Sequence, residues 1–223
     1  MEPRFELGVS QAYAGTVHAP SSGTGWERGF WFVFNRSTNP MCLIDEERRI
    51  VDVNDSTLAL IKRSRAQVIG SPAVDFIAPM DRAESEKRWR AILQTESGEF
   101  HGTGTVILGD GSELELDYAA HMVRISGRRL AIYVMLWDRD VLTFSVTEEA
   151  SKQALTQRER EIVTAVAMGH QTPEIAEELQ ISQETVRTHV RNLMVKTGTH
   201  TRAHLVARVL VEGDALDLPH LED

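Results

Sequence analysis

The segment from residue 155 to residue 210 constrains the fold most. It contains, several times in succession, the sequence signals for the start, the apolar face and the end of a short helix. The first predicted helix opens at Thr156, whose hydroxyl can accept the amide of Glu159 while that glutamate reaches back to the cap. Gly169 is predicted to end this helix, since glycine readily adopts the left-handed conformation found there. The inward face has apolar residues at helical spacing, namely Ile162, Val163, Val166 and Ala167.

Two more helices follow at the separation of a helix-turn-helix unit. The second begins at Thr172 with Pro173, because proline in a first helical turn gives up no hydrogen bond. Gln180, Ile181 and Ser182 form the predicted turn, and Ser182 can cap the third helix. A fourth helix, from about residue 202 to residue 210, is predicted to close the bundle.

The third helix has two distinct faces. Its inward face is predicted to be apolar and consists of Val186, Val190, Leu193 and Met194. Its other faces carry arginine and lysine, whose side chains can hold phosphates or, for arginine, the acceptor edge of guanine in the major groove. The pattern therefore predicts a recognition helix for double-stranded DNA.

These residues resemble the four-helix DNA-binding domain of LuxR-type regulators. The family pattern L-T-x-R-E-x-E, then G, then E-I-A-x-x-L, then S-x-x-T-V-x-x-H stands at residues 155–161, 169, 174–179 and 182–189 in one gapless register. The resemblance implies that three side chains face bases, namely Arg187, Thr188 and Arg191. It also implies that Thr185 and Lys196 contact phosphates.

Charge is distributed unevenly along the chain, whose formal net charge is −9. Residues 155–211 hold seven Arg or Lys against six Asp or Glu, a net of +1, and residues 184–202 hold four against one. Residues 212–223 hold five acidic residues and no basic one, which predicts an acidic tail. Positive charge is thus concentrated on the predicted recognition helix, where DNA requires it.

Length and composition limit the class of protein. The 223 residues allow two domains, each large enough for its own core. The single cysteine, Cys42, excludes an intramolecular disulfide and is consistent with a reducing compartment. No apolar run reaches the roughly 20 residues that span a bilayer and no signal peptide is visible, so a cytoplasmic location is expected. The sequence has no phosphate loop, nucleophile elbow or kinase signature, so no enzyme is predicted.

The amino-terminal part divides into two. Residues 1–25 hold several glycines and prolines and little apolar periodicity, which predicts a flexible arm. An aromatic cluster follows within nine positions and consists of Trp26, Phe30, Trp31, Phe32 and Phe34. A helix would put Trp26, Phe30 and Phe34 on one stripe, suited either to capping the following domain or to dimerising with a second copy.

Residues 39–138 are predicted to run strand, strand, short helices, longer helix and three strands, the order of an α+β sheet domain. Asn54 and Asp55 can cap a helix that extends to Ile61. Asp81 begins a longer helix with Trp89, Ile92 and Leu93 on its inner face. The predicted strands are 41–44, 50–53, 100–108, 113–123 and 130–137, with hairpin turns at 109–112 and 126–129.

This middle segment resembles a PAS sensory domain over about a hundred residues. The family has an aspartate closing the first strand and an asparagine after the second, which are Asp45 and Asn54 here. Ile69 with Gly70 and the D-G-S turn at 110–112 match two further family features. The resemblance implies a PAS-like antiparallel five-stranded sheet with flanking helices, followed by an all-α four-helix helix-turn-helix domain. The chain as a whole then resembles a PAS–LuxR type transcriptional regulator.

The sequence disfavours several cofactors. Photoactive flavin relatives place a cysteine on a helix over the ring, whereas Cys42 lies on the first predicted strand. Haem relatives place an axial histidine on the long helix, and residues 81–94 contain none. His101 and His121 lie on predicted strands. We expect them to be hydrogen-bonded or surface residues rather than ligands of a cofactor. No Cys and His cluster has ligand spacing, so no metal site is predicted.

Two functions of the PAS-like domain stay open. A small hydrophobic ligand would be bound by residues on the helix-facing side of the sheet, predicted as Met41, Leu43, Phe76, Trp89, Ile107, Tyr133 and Met135. Alternatively the same residues fill the core, and the domain is a ligand-free interaction or dimerisation module that answers to a partner protein. In either case one short helix contacts few base pairs, so a homodimer is expected to read an inverted repeat.

The predicted organisation has five parts. They are a flexible arm over 1–25, a PAS-like sensory domain with its aromatic cap over 26–138, a linker over 139–154, a DNA-binding domain over 155–211 and an acidic tail over 212–223. Leu142, Val146 and Ala150 recur at i, i+4 and i+8, so the linker is either an amphipathic coupling helix or a plain connection.

Overall fold

The computed structural model describes residues 25–94, 98–136 and 154–212. The predicted arm, the linker over 139–154 and the acidic tail lie almost wholly outside these described residues. Within the described ranges, no helix is long and apolar enough to cross a membrane.

Five antiparallel strands form one sheet in the order β2-β1-β5-β4-β3. Their bounds are Met41–Ile44 for β1, Ile50–Val53 for β2, Glu99–Ile107 for β3, Glu113–Ile125 for β4 and Arg128–Leu136 for β5. The β4–β5 turn is shorter than predicted, because Ser126 and Gly127 both have positive φ and close a two-residue hairpin. The sheet and its flanking helices confirm the predicted α+β class.

Eight α-helices are found in the described residues. They are α1 (Gly25–Arg36), α2 (Asp55–Ile61), α3 (Arg65–Val68), α4 (Arg82–Leu93), α5 (Gln157–Met168), α6 (Thr172–Glu178), α7 (Gln183–Thr197) and α8 (Arg202–Glu212). The cap predicted for α5 is confirmed, since Thr156 and Glu159 form a reciprocal capping box and Gly169 ends the helix with φ +97°. The last four helices form the predicted four-helix helix-turn-helix domain.

The sheet is covered on both faces. One face packs against α2, α3 and α4 through a core that includes Phe76, Trp89 and Ile92. The other face packs against α1 and α8, and Phe30 and Phe34 of α1 are fully buried there. This second core runs without interruption from the sheet into the helix-turn-helix domain. The two domains therefore share one hydrophobic core rather than meeting only at their surfaces.

Candidate DNA interface and ligand cavity

The helix α7 is fixed by a cap, a turn and a buried stripe. The hydroxyl of Ser182 accepts the amide of Thr185 at 3.0 Å, which starts the helix. Gln180 has φ +53° in the turn before it, and Arg158 of α5 donates to the carbonyl of Leu179 at 2.8 Å. The predicted inward residues are all buried, namely Val186, Val190, Leu193 and Met194. The orientation of α7 thus follows from the packing of its own domain.

Four of the five predicted DNA contacts lie on the outer side of α7, where they are exposed or half-buried. Thr185 and Arg191 are exposed, while Arg187 and Thr188 are half-buried. Arg191 has no hydrogen-bond or ion-pair partner among the described residues, and Arg187 lies 3.5 Å from Glu184 on the preceding turn. A guanidinium without a partner retains its full capacity for a two-pronged contact with guanine or phosphate.

One further polar side chain lies on this surface. Asn192 is exposed and lies one position after Arg191. Its spacing from Thr185 and Thr188, seven and four residues, puts it on the same helical face. An asparagine side chain can pair with adenine through one donor and one acceptor. Helical spacing alone would have identified Asn192 as a further candidate.

Lys196 differs from the other four candidates because its charge is already paired. Its ammonium group lies 2.8 Å from the carboxylate of Glu159, and only 22% of its side chain is exposed. Burial would raise the pKa of Glu159, but hydrogen bonds from Lys196 and Thr156 outweigh it, so the pKa lies below its usual value. Lys196 therefore joins the start of α5 to the end of α7.

A cavity of about 320 Å³ lies between the sheet and the helices α2 to α4. Its wall combines apolar side chains from β1, β2, β4 and β5 with Arg48, Arg88 and Tyr118. Small-molecule sites in proteins begin at roughly 300 Å³ and are mostly apolar with a few polar groups. The cavity is therefore the size and type of a site for a small organic molecule.

Three of the seven residues predicted for a ligand line this cavity, namely Phe76, Tyr133 and Met135. Met41 and Leu43 are buried on the opposite face of the sheet, and Cys42 and Ile44 line the cavity in their place. Ile107 also faces away, and Val106 takes its position. Trp89 packs in the core beside the cavity but does not line it.

The wrong assignment of Met41 and Leu43 to the cavity has a physical reason. In a sheet covered on one face only, apolar residues alternate with polar ones and reveal which face is buried. Here both faces are covered, so both sets of residues on β1 are apolar and fully or nearly fully buried. A shift of one residue then exchanges the faces without changing the pattern.

The hydroxyl group of Tyr133 in the cavity wall has hydrogen-bonding capacity to spare. Tyr133 hydrogen-bonds through its side chain to none of the described residues, and burial raises the pKa of its phenol. Tyr133 therefore stays protonated and can donate to a ligand. Arg88 is less available, because it contacts both Tyr118 and Glu84.

Cys42 lines the same cavity as an uncharged thiol. Burial raises its pKa to about 12, so no thiolate forms near neutral pH. His101 and His121 do not line the cavity. They lie on the sheet face that packs against α8.

A short loop between α1 and β1, residues 37–39, contacts the DNA-binding domain; we call it the junction loop. The hydroxyl of Ser37 donates to the carbonyl of Ala167 at 2.6 Å. The side-chain amide of Asn39 donates to the carbonyl of Val166 at 2.9 Å. Both side chains are buried, and both carbonyls belong to the last turn of α5. The junction loop thus holds the end of the first helix of the helix-turn-helix domain.

The junction loop is also tied to the cavity. The side-chain amide of Asn54 donates to the carbonyl of Asn39 at 2.8 Å, and its oxygen accepts the amide of Met41 at 3.0 Å. The same oxygen accepts the backbone amide of Thr57 at 3.0 Å, and Thr57 lines the cavity. A continuous path of hydrogen bonds therefore runs from the cavity wall to the end of α5.

Comparison with known proteins gives two family matches. The model of the luxR family of bacterial regulatory proteins matches residues 153–209, and the PAS fold model matches residues 31–139. The spore germination protein GerE of Bacillus subtilis is 43% identical over 67 residues, which are 30% of this chain and 90% of GerE. The transcriptional regulatory protein MctR of Rhizobium johnstonii is 36% identical over 117 residues, 52% of each chain, so this chain spans about half of MctR.

Among solved structures, a Vibrio cholerae VqmA dimer in the absence of its target DNA is similar over 82% of this chain and 86% of that one. Its sequence identity is 20% and its TM-score is 0.42.

Proposed function

Because the chain belongs to the luxR family of bacterial regulatory proteins and carries a PAS domain ahead of its DNA-binding domain, we propose that it is a ligand-responsive transcription regulator. In this proposal a small, mainly apolar molecule in the PAS cavity controls how the protein binds its operator. The hydrogen-bonded path from Thr57 to the end of α5 carries the proposal, since it gives the cavity a physical connection to the DNA-binding domain.

The outer face of α7 provides the proposed DNA contacts. Thr185, Arg187, Thr188 and Arg191 present hydroxyl and guanidinium donors there, and Asn192 adds an amide. One such helix covers only a few base pairs, so we propose that a homodimer places two of them in successive major grooves. An operator with two inverted half-sites would match that symmetry.

Replacing Arg191 with alanine is expected to weaken binding to the cognate DNA by about 1 to 3 kcal/mol and to relax the preference at one base position. Binding to random DNA should change less, because a contact with a specific base is made mainly on the cognate DNA. A phosphate contact, by comparison, is made on both DNAs. The measurement is the affinity for both DNAs at fixed salt. Arg90→Ala is the matched control, since this exposed arginine lies on α4 and its loss should change neither affinity. Equal losses on both DNAs for Arg191→Ala would make Arg191 a phosphate contact.

The side chains that line the cavity indicate the chemistry of the proposed ligand. Most of the wall is apolar, which favours a molecule with a largely apolar surface. The hydroxyl of Tyr133 favours one hydrogen-bond acceptor on that molecule. The raised pKa of Cys42 argues against covalent capture, because the thiolate is the reactive form.

Filling the cavity tests the sensory half of the proposal. Val106 faces the cavity and Ile107, its neighbour on β3, faces the other side of the sheet. Val106→Trp should weaken ligand binding by at least about tenfold, because the indole ring takes up cavity volume, whereas Ile107→Trp should leave it near the native value. Native mass spectrometry of freshly purified protein measures the molecule retained by each variant. Equal retention in both variants would contradict the assignment of the cavity.

The same experiment distinguishes the alternative function. If the native protein carries no dissociable molecule and Val106→Trp binds DNA as the native protein does, the PAS domain acts without a ligand in this cavity. The domain would then be an interaction module, and a partner protein would supply the signal.

A further inference from the structure

Three residues from distant parts of the sequence meet between the two domains. Glu99 of β3 and His121 of β4 are direct partners across the antiparallel pair, so their side chains lie on the same face of the sheet. His204 lies on the first turn of α8, which packs on that face. The cluster therefore joins two strands of the PAS sheet to a helix of the DNA-binding domain.

The spacing of the ligand atoms fits a small cation. The Oε2 atom of Glu99 lies 3.2 Å from Nδ1 of His121 and 3.5 Å from Nε2 of His204. One ligand atom from each of the three residues lies within 4.8 Å of the others. A tetrahedral cation with bonds of about 2.0 to 2.1 Å keeps its ligand atoms about 3.3 Å apart. Two of the three separations, 3.2 Å and 3.5 Å, are close to this value.

Both histidines are buried, and one ring nitrogen that faces Glu99 has no hydrogen bond. His204 is 2% exposed and His121 is 5% exposed. The Nε2 atom of His204 faces Oε2 of Glu99 at 3.5 Å but forms no hydrogen bond with any residue that the structure describes, whereas the nitrogen of His121 that faces Glu99 is Nδ1. A buried polar atom left unpaired is costly and calls for a partner.

We propose that Glu99, His121 and His204 bind one divalent transition-metal cation of the Zn²⁺ type, which fastens the DNA-binding domain to the PAS sheet. Two imidazole nitrogens and one carboxylate oxygen suit Zn²⁺ and its neighbours rather than Mg²⁺ or Ca²⁺. A water molecule can take the fourth position. The proposal goes beyond ligand sensing and does not depend on what the cavity binds.

The surroundings of the cluster orient its members. The ring of His101 stacks on that of His204, with 4.6 Å between the centroids and an angle of 17°. Arg208 lies 3.8 Å from Oε1 of Glu99, which leaves Oε2 facing both imidazoles. The amide of His200 donates to Nδ1 of His204 at 3.3 Å. Cation binding through Nε2 puts the ring proton on Nδ1, so this hydrogen bond is lost on binding.

Cobalt titration of the full-length protein tests the site, with any affinity tag removed and any resident metal stripped by a chelator. The native protein should bind one Co²⁺ per chain with the visible absorption of a tetrahedral site, and Zn²⁺ should displace it. Glu99→Gln and His204→Gln should each weaken Co²⁺ binding by more than about tenfold. His170→Gln, a half-exposed histidine paired with Glu178, should bind as the native protein does.

Two further measurements keep the test decisive. Arg208→Gln removes a positive charge near the cation and keeps all three ligands, so it should bind Co²⁺ at least as tightly as the native protein. Zn²⁺ should raise the Tm of the native protein but not that of Glu99→Gln. If His204→Gln does not fold, Glu99→Gln decides, because its side chain is 38% exposed and its replacement keeps the shape. Absence of the absorption in native protein, or equal affinities of native protein and Glu99→Gln, would overturn the proposal.

Discussion

Replacing Gly169 with alanine is expected to lower the free energy of unfolding by about 4 kcal/mol, from about 2 kcal/mol of backbone strain and about 2 kcal/mol of overpacking. Gly169 has φ +97°, a conformation that residues with a Cβ atom rarely adopt. An added Cβ would lie 2.0 Å from Oγ1 of Thr38 and 2.9 Å from the backbone nitrogen of Asn39. Thr38 can rotate away, but the backbone of Asn39 cannot move without disturbing its hydrogen bonds to α5. Urea unfolding followed by circular dichroism measures the loss.

Gly127→Ala is the matched control for this experiment. Gly127 has φ +78°, and a Cβ there would meet nothing within 4 Å. Its replacement should cost only the backbone strain, about 2 kcal/mol. The difference between the two variants isolates the contact between the junction loop and α5. Equal losses would mean that Gly169 is not packed against that loop.

The second large effect is expected at Lys196, where methionine should destabilise the protein by about 3 kcal/mol. The side chain of Glu159 is 7% exposed, and the substitution removes the ammonium group 2.8 Å from it. Only the amide and hydroxyl of Thr156 then remain as partners for the buried carboxylate. Thermal and urea unfolding measure the change, and native stability in Lys196→Met would contradict the ion pair.

A double variant separates this structural role from a contact with DNA. Glu159→Gln combined with Lys196→Met should recover most of the lost stability, because an amide oxygen still accepts from Thr156 and no buried charge is left unpaired. If Lys196 also holds a phosphate, the stable double variant binds DNA more weakly, and the salt dependence of binding falls by about one charge. Native affinity and native salt dependence would leave Lys196 with a structural role alone.

Features encoded by neighbouring residues could be predicted from the sequence. The capping box of Thr156 and Glu159, the end of α5 at Gly169 and the cap at Ser182 each depend on residues within one helical turn. Spacing along the chain specifies such interactions directly. The helix α7 was predictable for the same reason, because its apolar stripe identifies the face turned towards solvent.

Features that depend on which surfaces meet could not be predicted. The cavity residues on β1 were displaced by one position, since Met41 and Cys42 are both apolar and both buried. The cluster of Glu99, His121 and His204 requires α8 to pack on the PAS sheet, and nothing in the spacing of those residues indicates that contact. The ion pair between Lys196 and Glu159 could not be predicted either, because the sequence pattern explains Glu159 fully as part of a helix cap.

Selection of DNA from a pool of random duplexes by the full-length protein tests the account most directly. The proposed dimer should enrich an inverted repeat whose half-sites are centred about 10 base pairs apart, one helical turn of DNA. Protein with Arg191→Ala should enrich the same repeat with one position in each half-site relaxed. Enrichment of no sequence, or of the same sequence by both proteins, would contradict the claim that the outer face of α7 reads the operator.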